Sequence, residues 1–452
     1  MLKSQVQTKT LTSGSIWDKL ILFALPIAAT LILQQLFNSA DMAVLGHFAD
    51  NQAFAAVGST AVVINLMIEL SSSFSVGVNV VIARFIGGGN IKKACYALHT
   101  AVCLALILGT VLGIAGFFVA EPLLKVMNVP ENVFPLAVLY LRIYSAGFPF
   151  LVLFNVCAAA LRSRGNSKKP LYVLLITGSV NLILNIIFVA ALKMGVAGVA
   201  IATVISSILS ALMLVYHLMF KDDLLKLYPS QLNIDIKTLG EFLKVGVPAG
   251  FLGSVFSVSN ICVQSAVNSL GTDAVSASAA AANVEIYIQF FGNAFAQAAT
   301  TFVSQSFGAG NYERCRKTVR IAICECVLIT ALLSVFVFSF GRTFLRIFTD
   351  DAGVIEIAMS RMKYTVLFKF IQCIMDIMVG VLQGYSYTFV PALISLFGVC
   401  GIRLLWIFAV FPQYNTLESL MVMYPLTQGI ASVLHTFCYM LYKRNHFPKS
   451  AG

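Results

Sequence analysis

The chain has 452 residues, of which 59% are hydrophobic and 11% are charged, and its mean hydropathy is +0.89. A soluble domain carries about a quarter charged residues, so this composition excludes a soluble protein and indicates a polytopic membrane protein. The formal net charge of +11 is also typical of nucleic-acid-binding proteins. The distribution of that charge argues against the nucleic-acid class.

Taken in order, the chain divides into apolar runs of about 20 residues, which is the length that a bilayer core requires. The twelve predicted segments are 20–47, 53–82, 95–119, 134–160, 171–191, 196–219, 240–268, 275–304, 317–341, 357–383, 390–411 and 420–442. The sequence therefore predicts an all-α polytopic membrane protein with twelve transmembrane helices.

The basic residues are concentrated in alternate loops. With both termini in the cytoplasm, the inside segments hold 21 of the 30 Lys and Arg residues. The outside loops hold four, namely Lys125, Lys193, Arg342 and Arg346. This asymmetry follows the positive-inside rule and predicts a multi-pass protein of the cytoplasmic membrane with both termini inside. Since the basic excess sets the topology, we expect no nucleic-acid partner.

Three sequence landmarks occur twice. Pro26 in ALPIAA recurs as Pro248 in GVPAGF, and RFIGGGN recurs as QSFGAGN. LRSRGNSKKP, which ends at Pro170, recurs as LQGYSYTFVP, which ends at Pro391. The three offsets are 222, 221 and 221 residues. The repetition predicts two six-helix halves related by an axis along the membrane normal, an arrangement that transporters use to rock around a midplane cavity.

The predicted N-lobe covers 1–226 and the predicted C-lobe covers 227–452. Each lobe begins with a helix that contains a proline, Pro26 or Pro248. A proline inside a helix removes a backbone hydrogen bond, so we expect both residues to bend their helices.

Glycine-rich turns follow the second predicted helix of each half, at 87–89 and 308–310. Glycine permits the positive φ that a tight corner needs. No predicted strand precedes either turn and no GK[ST] follows it, so neither resembles a phosphate-binding loop. We therefore expect no ATP, and a pump of this kind would draw on an ion gradient.

The segment 31–48 is apolar enough to lie in a membrane, yet it contains Asp41 on one helical face with Asn38 and Gln34. An acid at membrane depth costs about 2.5–3.5 kcal/mol and usually faces a bundle interior or a wet cavity. Asp41 is therefore either an acid anchored near the membrane interface or an ion-binding carboxylate.

Several motifs together resemble the multidrug and toxic compound extrusion (MATE) family. They are ALPIAATLILQQLFNSADMAVLGHF, FAAVGST, FSVGVNVVIARFIGGGN, LRSRGNSKKP and TFVSQSFGAGNYER, and they span essentially the whole chain. The resemblance implies two six-helix lobes in a V around a central cavity. It also implies export of lipophilic, mostly cationic compounds by antiport with H⁺ or Na⁺, without any other cofactor and as a monomer.

In the N-lobe, the resemblance carries over a polar cation-coupling site. Its members here are Asp41, Asn155, Asn181, Asn185 and Thr203. Asn185 stands where many relatives carry a second acid. Carboxylate, amide and hydroxyl oxygens can hold a hard cation, so Asp41, Asn181, Asn185 and Thr203 form a candidate Na⁺ site. Protonation of Asp41 alone is the other interpretation, and an interhelical hydrogen bond is a third for each Asn.

Substrate-binding residues are predicted in both lobes. The candidates are Gln34, Phe37, Asn38, Glu285, Tyr287, Gln289, Asn293, Gln372 and Asp376. Large adaptable apolar groups with a few acids suit flat lipophilic cations. Glu285 and Asp376 are alternatively a second proton site, and Lys369 offers another partner for Asp376. Glu69 and Glu325, which lack a comparable polar stripe, are interpreted as structural.

Some relatives bind Na⁺ with acids on helices 7 and 10. The corresponding positions here are Phe256 and Gln372, so the resemblance does not carry that second site over to this chain.

Other functions remain as alternatives. The nearest is a flippase for lipid-linked saccharides, which would need a cluster of cavity cations, whereas Lys369 and Arg403 are among the few basic residues within the predicted helices. A membrane enzyme is disfavoured because the five histidines are scattered and no HExxH or nucleophile elbow occurs. A passive channel is disfavoured by the duplicated bundle with its two prolines.

Overall fold

The computed structural model describes residues 11–447. Helices account for nearly all of this range because an apolar chain in a bilayer must satisfy its backbone hydrogen bonds internally. The first six are α1 (Ile16–Phe48), α2 (Asn51–Gly87), α3 (Ile91–Val126), α4 (Phe134–Ser163), α5 (Lys168–Ala191) and α6 (Gly195–Lys221). The last turns of α5 and α6 are π-helical.

Six further long helical segments follow a loop that contains a short 3₁₀ turn. They are α7 (Ile236–Asn268), α8 (Thr272–Gly308), α9 (Tyr312–Ser339), α10 (Ala352–Thr365 continued by Lys369–Gly384), α11 (Phe389–Tyr414) and α12 (Leu417–His446). The twelve predicted segments are thus confirmed as twelve long helical segments in the part of the chain that the structure describes.

Length and composition alone mark nine of these helices as membrane spans, and α10 makes a tenth when its two parts are joined. The helices that composition does not mark within residues 11–447 are α8 and α12. In α8 the reason is a polar stripe with four-residue spacing, formed by Glu285, Gln289, Asn293 and Gln297.

A break divides α10, which the sequence predicts as one continuous segment, and its two parts differ in direction by 44°. The break lies at 366–368, where Lys369 N–H bonds the carbonyl of Val366 in place of the usual partner four residues back. Just before it, the Thr365 hydroxyl contacts the Glu285 carboxylate. The two parts of α10 therefore present their polar side chains in different directions.

The repeated glycine turns have equivalent backbone conformations. Gly89 has φ 73° and Gly310 has φ 69°, so the expected positive φ is confirmed in both turns. The next residue caps the following helix in each case. Asn90 accepts a hydrogen bond from Lys93 N–H at 3.1 Å, and Asn311 accepts one from Arg314 N–H at 2.9 Å.

The described chain forms two compact units, and both boundaries fall inside helices. The first unit comprises Ala29–Gly250, and the second comprises Leu11–Ala28 together with 251–447. These bounds differ from the predicted lobe boundary after residue 226. Each change of unit lies two residues beyond a proline, Pro26 or Pro248, although both helices continue through their prolines. The bending role of the two prolines stays a prediction.

Candidate functional site

In the first unit, a polar cluster lies between α1, α5 and α6. Asn185 on α5 is fully buried and donates its side-chain amide to Asp41 Oδ1 on α1 at 2.5 Å. The same amide lies 3.2 Å from Asn181 Oδ1, one helical turn earlier. The side-chain carbonyl oxygen of Asn185 is buried with no hydrogen-bond partner. Asp41 and Asn185 therefore leave acceptor oxygens available inside the unit.

The cluster continues onto α6. The Asn181 amide donates to Thr203 Oγ1 at 3.5 Å and to Ser206 Oγ at 3.3 Å. Sequence reasoning did not include Ser206, although it lies three residues after Thr203 and therefore on a neighbouring part of the same helical face. A crevice of about 10 Å³, roughly the space of one water molecule, adjoins Thr203 and is lined by Tyr144 and Ser207 among others.

Asn155 on α4 makes its hydrogen bond elsewhere. Its amide donates to Ser71 Oγ on α2 at 3.0 Å, and it makes no hydrogen bond to the Asp41 cluster among the described residues. Four of the five predicted coupling residues are thus joined in one network, and Asn155 instead links α4 to α2.

The three substrate candidates on α1 have different environments. Phe37 packs directly against Gly178 on α5, where a Cβ atom would overlap its ring. Gln34 is half-buried and Asn38 is exposed. Phe37 therefore holds α1 against α5, whereas Asn38 is accessible to a ligand.

In the second unit, Glu285 forms a buried ion pair. Its carboxylate accepts Arg361 Nε at 3.2 Å and Nη2 at 3.4 Å, and the Thr365 hydroxyl also donates to it. Two-point contact of this kind is the strongest geometry available to an arginine and a carboxylate. The ion pair occupies the carboxylate that the sequence assigns to a cationic substrate, and sequence reasoning missed Arg361 as its partner.

Asp376 lies further along α10 and is bound by an uncharged group. Gln289 on α8 donates to Asp376 Oδ2 at 3.1 Å and to Asn293 Oδ1 at the same distance. Lys369 interacts electrostatically with both Glu285 and Asp376 but forms a direct ion pair with neither. The two carboxylates are therefore balanced by the charges of Arg361 and Lys369.

The remaining substrate candidates contribute contacts between helices. Gln372 accepts a hydrogen bond from Gln428 on α12 at 3.1 Å, a partner that the sequence did not indicate. The ring of Tyr287 packs edge-on against Phe290 with 6.3 Å between centroids. Phe256 on α7 is half-buried against an apolar cluster that includes Met375.

The number of oxygen atoms that the Asp41 cluster can offer determines how well it could bind Na⁺. Within residues 11–447 no group of three or more His, Cys, Asp and Glu side chains could hold a metal ion. Asn181 directs its amide nitrogen, a donor, at Thr203 and Ser206. Three of the five side-chain oxygens of the candidate Na⁺ site, Asp41 Oδ1, Asn181 Oδ1 and Thr203 Oγ1, accept hydrogen bonds from other members. Asp41 Oδ2 and Asn185 Oδ1 accept none from them.

Comparisons with known proteins define the class. The MatE family model matches residues 26–187 and again residues 248–408, which reproduces the predicted internal repeat. The chain therefore belongs to the MatE family, the multidrug and toxic compound extrusion transporters.

Individual relatives agree with this assignment. The chain is 27% identical over 436 residues to a probable multidrug resistance protein of Bacillus subtilis, YoeA, with 94% of each chain covered. It is 29% identical to the probable multidrug resistance protein NorM of Thermotoga maritima, covering 85% of this chain and 84% of that protein. A transporter of the MOP superfamily from Pyrococcus furiosus, described as having a binding pocket of reverse polarity, matches with a TM-score of 0.90 at 21% identity, over 97% of this chain and 98% of that one.

Proposed function

We propose that this MATE transporter is a cation-coupled antiporter that exports lipophilic, mostly cationic drugs and toxic organic compounds across the cytoplasmic membrane by alternating access. The observation that carries the proposal is the Asp41 carboxylate, held by Asn185 inside an apolar helix bundle. The distribution of basic residues supports cytoplasmic termini. The protein acts as a monomer, without ATP or nucleic acid.

Asp41 binds the coupling ion. As a carboxylate it accepts the hydrogen bond from Asn185 and carries a charge that burial makes costly. Binding of H⁺ or Na⁺ removes that cost and changes what the Asn185 amide contacts. Asn185 in turn contacts Asn181, and Asn181 contacts Thr203 and Ser206 on α6. The hydrogen-bond network thus gives ion binding at α1 a direct route to α5 and α6.

The energy available from one ion is sufficient for useful export. Moving one charge through 100 mV yields about 2.3 kcal/mol. Since about 1.4 kcal/mol corresponds to a factor of ten, one ion supports roughly a fifty-fold gradient of a neutral substrate. Exchange of one H⁺ for a singly charged cation is electroneutral, and the pH gradient then drives it.

The second unit supplies part of the substrate surface. Because Glu285 is paired with Arg361, attraction of a cationic substrate rests mainly on Asp376 and on the polar groups beside it, Gln289 and Asn293. Aromatic rings such as that of Tyr287 add apolar and cation–π contact. This arrangement suits a large apolar cation with one charge better than a small polar one.

A second candidate function is flipping of lipid-linked saccharides, and the observation that favours it is Arg403 on α11. Its side chain is 4% exposed, lies 4.5 Å above the Tyr424 ring and bonds Asn260 at 3.4 Å, and it has no carboxylate partner among residues 11–447. A buried guanidinium of this kind can bind a pyrophosphate. One such residue is fewer than the cluster that an anionic lipid headgroup requires, so export of cations remains the proposed function.

The test is dye transport in proteoliposomes, with a pH gradient and a Na⁺ gradient imposed separately. We expect uphill transport under a pH gradient that is abolished by Asp41→Asn. The matched control is Asn155→Ala, which removes a polar group outside the cluster and is expected to retain coupling. Transport by Asp41→Asn at the wild-type rate would contradict the coupling role. Absence of uphill transport by wild type under either gradient would favour the flippase.

A further inference from the structure

A buried carboxylic acid in α9, which the proposed function does not use, has no hydrogen-bond partner among residues 11–447. Glu325 is 2% exposed, and neither of its carboxylate oxygens has a hydrogen-bond partner. Burying an ionised carboxylate without partners is one of the most costly arrangements in a protein, and such a group takes up a proton instead. Glu325 therefore differs from an acid that stabilises the fold through an ion pair.

Glu285 in the same unit provides the comparison. It is 8% exposed, but Arg361 and Thr365 bind both of its carboxylate oxygens. Glu325 forms no such ion pair with any Lys, Arg or His of residues 11–447. Two buried glutamates of the second unit thus have opposite environments: a base neutralises Glu285, and no base of residues 11–447 neutralises Glu325.

The charged and titratable groups around Glu325 do not favour its ionised form. From α1, the exposed Asp18 interacts with it electrostatically and is itself acidic. On α9 its neighbour is Cys326. The Cys326 thiol contacts Cys373 and interacts electrostatically with Asp376, both on α10. Neither of these two neighbours carries a positive charge that would stabilise the ionised form of Glu325.

A second orphaned polar group lies on the same face of α9. The Thr318 hydroxyl is fully buried with no partner. It precedes Glu325 by seven residues, which is two helical turns and about 10 Å along the axis. Thr318 lies between Glu325 and the start of α9, the end of the helix near which Arg314 binds Leu11, Ser13 and Gly14. Glu325 and Thr318 are thus both buried on one face of α9 without hydrogen-bond partners among the described residues.

We propose that Glu325 is a second proton-binding carboxyl of this transporter, located in the second unit and distinct from Asp41. The proton is the expected ligand because a metal cation needs several oxygens, and Glu325 offers one carboxylate with a single hydroxyl two turns away. Its role in transport rests on the proposed function, whereas proton binding itself does not. If both acids load in each cycle, two protons enter for each substrate exported.

The direct test is infrared difference spectroscopy of the purified protein between alkaline and acidic buffer. Wild type should show the carbonyl band of a protonated carboxylic acid that Glu325→Gln removes and that Glu285→Gln leaves in place. If Glu325→Gln fails to fold, Glu325→Asp, which retains a carboxyl group, replaces it in the infrared measurement. If no band is lost in Glu325→Gln at any pH, or if Na⁺ removes the band, the proposal is wrong.

Transport gives an independent measurement. With two protons per singly charged cation, export is electrogenic, so an inside-negative potential should accelerate wild type and have no effect on Glu325→Gln. For a neutral substrate, the steady-state gradient per pH unit should fall in the variant from about a hundred-fold to about ten-fold, since each proton contributes one decade. Potential-independent export by both proteins would overturn the two-proton role. Loss of uphill export by wild type would instead contradict the proposed antiport.

Discussion

Asn185 on α5 donates its side-chain amide to the carboxylate of Asp41 on α1, across 144 residues of sequence. Because residue 185 is an amide and Asp41 is the acid of the cluster, the cluster holds one formal negative charge. The cluster also contains an unpaired acceptor, the Asn185 carbonyl oxygen. The chemistry of the site is thus set by one ionisable group and by the amide that orients it.

Asn185→Asp tests how the number of charges determines coupling. Two carboxylates at this distance repel each other, so the pair retains one proton to higher pH than a single acid does. We expect the alkaline limb of the pH profile of dye export to shift upwards, because a close like charge disfavours the fully ionised pair. We also expect export to respond to Na⁺, because the site gains a ligand oxygen with charge.

The control for this variant is Asn181→Asp, one turn earlier on α5, where the side chain contacts Thr203 and Ser206. A larger shift in Asn181→Asp than in Asn185→Asp would show that the Asp41–Asn185 contact does not dominate the site. The measurement is the initial export rate in proteoliposomes as a function of pH, with and without Na⁺.

The Glu285–Arg361 ion pair predicts a loss of stability. Glu285→Gln leaves the Arg361 guanidinium buried without its counter-ion, and breaking a buried pair in this way costs about 3–5 kcal/mol. The double variant Glu285→Gln/Arg361→Met removes both charges and should recover most of the loss. Unfolding in detergent measures both. If Glu285 instead serves only as a substrate ligand, Glu285→Gln will change export without changing the free energy of unfolding.

Close packing of Phe37 against Gly178 predicts a steric effect. A Cβ at Gly178 overlaps the Phe37 ring, so Gly178→Ala should destabilise the first unit by about 1–3 kcal/mol, the usual cost of overpacking. Gly58→Ala is the control, because no atom lies within 4 Å of a Cβ at that position. Phe37→Leu should relieve the strain of Gly178→Ala. Equal stability of the two glycine variants would contradict the contact.

Asp235, which lies outside the membrane spans, is expected to make a pH-dependent contribution to the stability of the folded protein. Its Oδ2 accepts the Thr238 hydroxyl at 2.6 Å and the Thr238 N–H at 3.0 Å, and these bonds hold the pKa of Asp235 below its usual value. The folded pKa is lower than the unfolded one, so the stabilisation is present above the ordinary Asp pKa of about 3.9 and is lost as the pH falls through the folded value.

Asp235→Ala should therefore unfold more readily than wild type at neutral pH, and the difference should disappear in acid. Asp50→Ala is the matched control, since Asp50 precedes α2 but makes no side-chain capping bond. Thermal unfolding across pH provides the measurement. A stability difference between Asp235→Ala and wild type that persists in acid would show that the contribution does not depend on the carboxylate charge.

Several features of the fold followed directly from the sequence. The long helices, the repeat and the positive φ of Gly89 and Gly310 were predicted correctly, because they depend on local apolarity, turn chemistry and spacing. The break in α10 was missed because no proline or glycine marks it. The Asp41 cluster was predicted in outline from the family resemblance, but Ser206 was not recognised as a member.

By itself, the sequence determined the class of protein, the number of long helices and the residues that are costly at membrane depth. Each of these depends on composition over one segment, since a helix in a bilayer satisfies its own backbone. Only the tertiary structure decided which polar groups are paired. Glu285 meets Arg361 across 76 residues, whereas Glu325 has no hydrogen-bond partner among residues 11–447. Pairing depends on how helices pack, and two buried glutamates of one unit therefore acquire opposite chemistry.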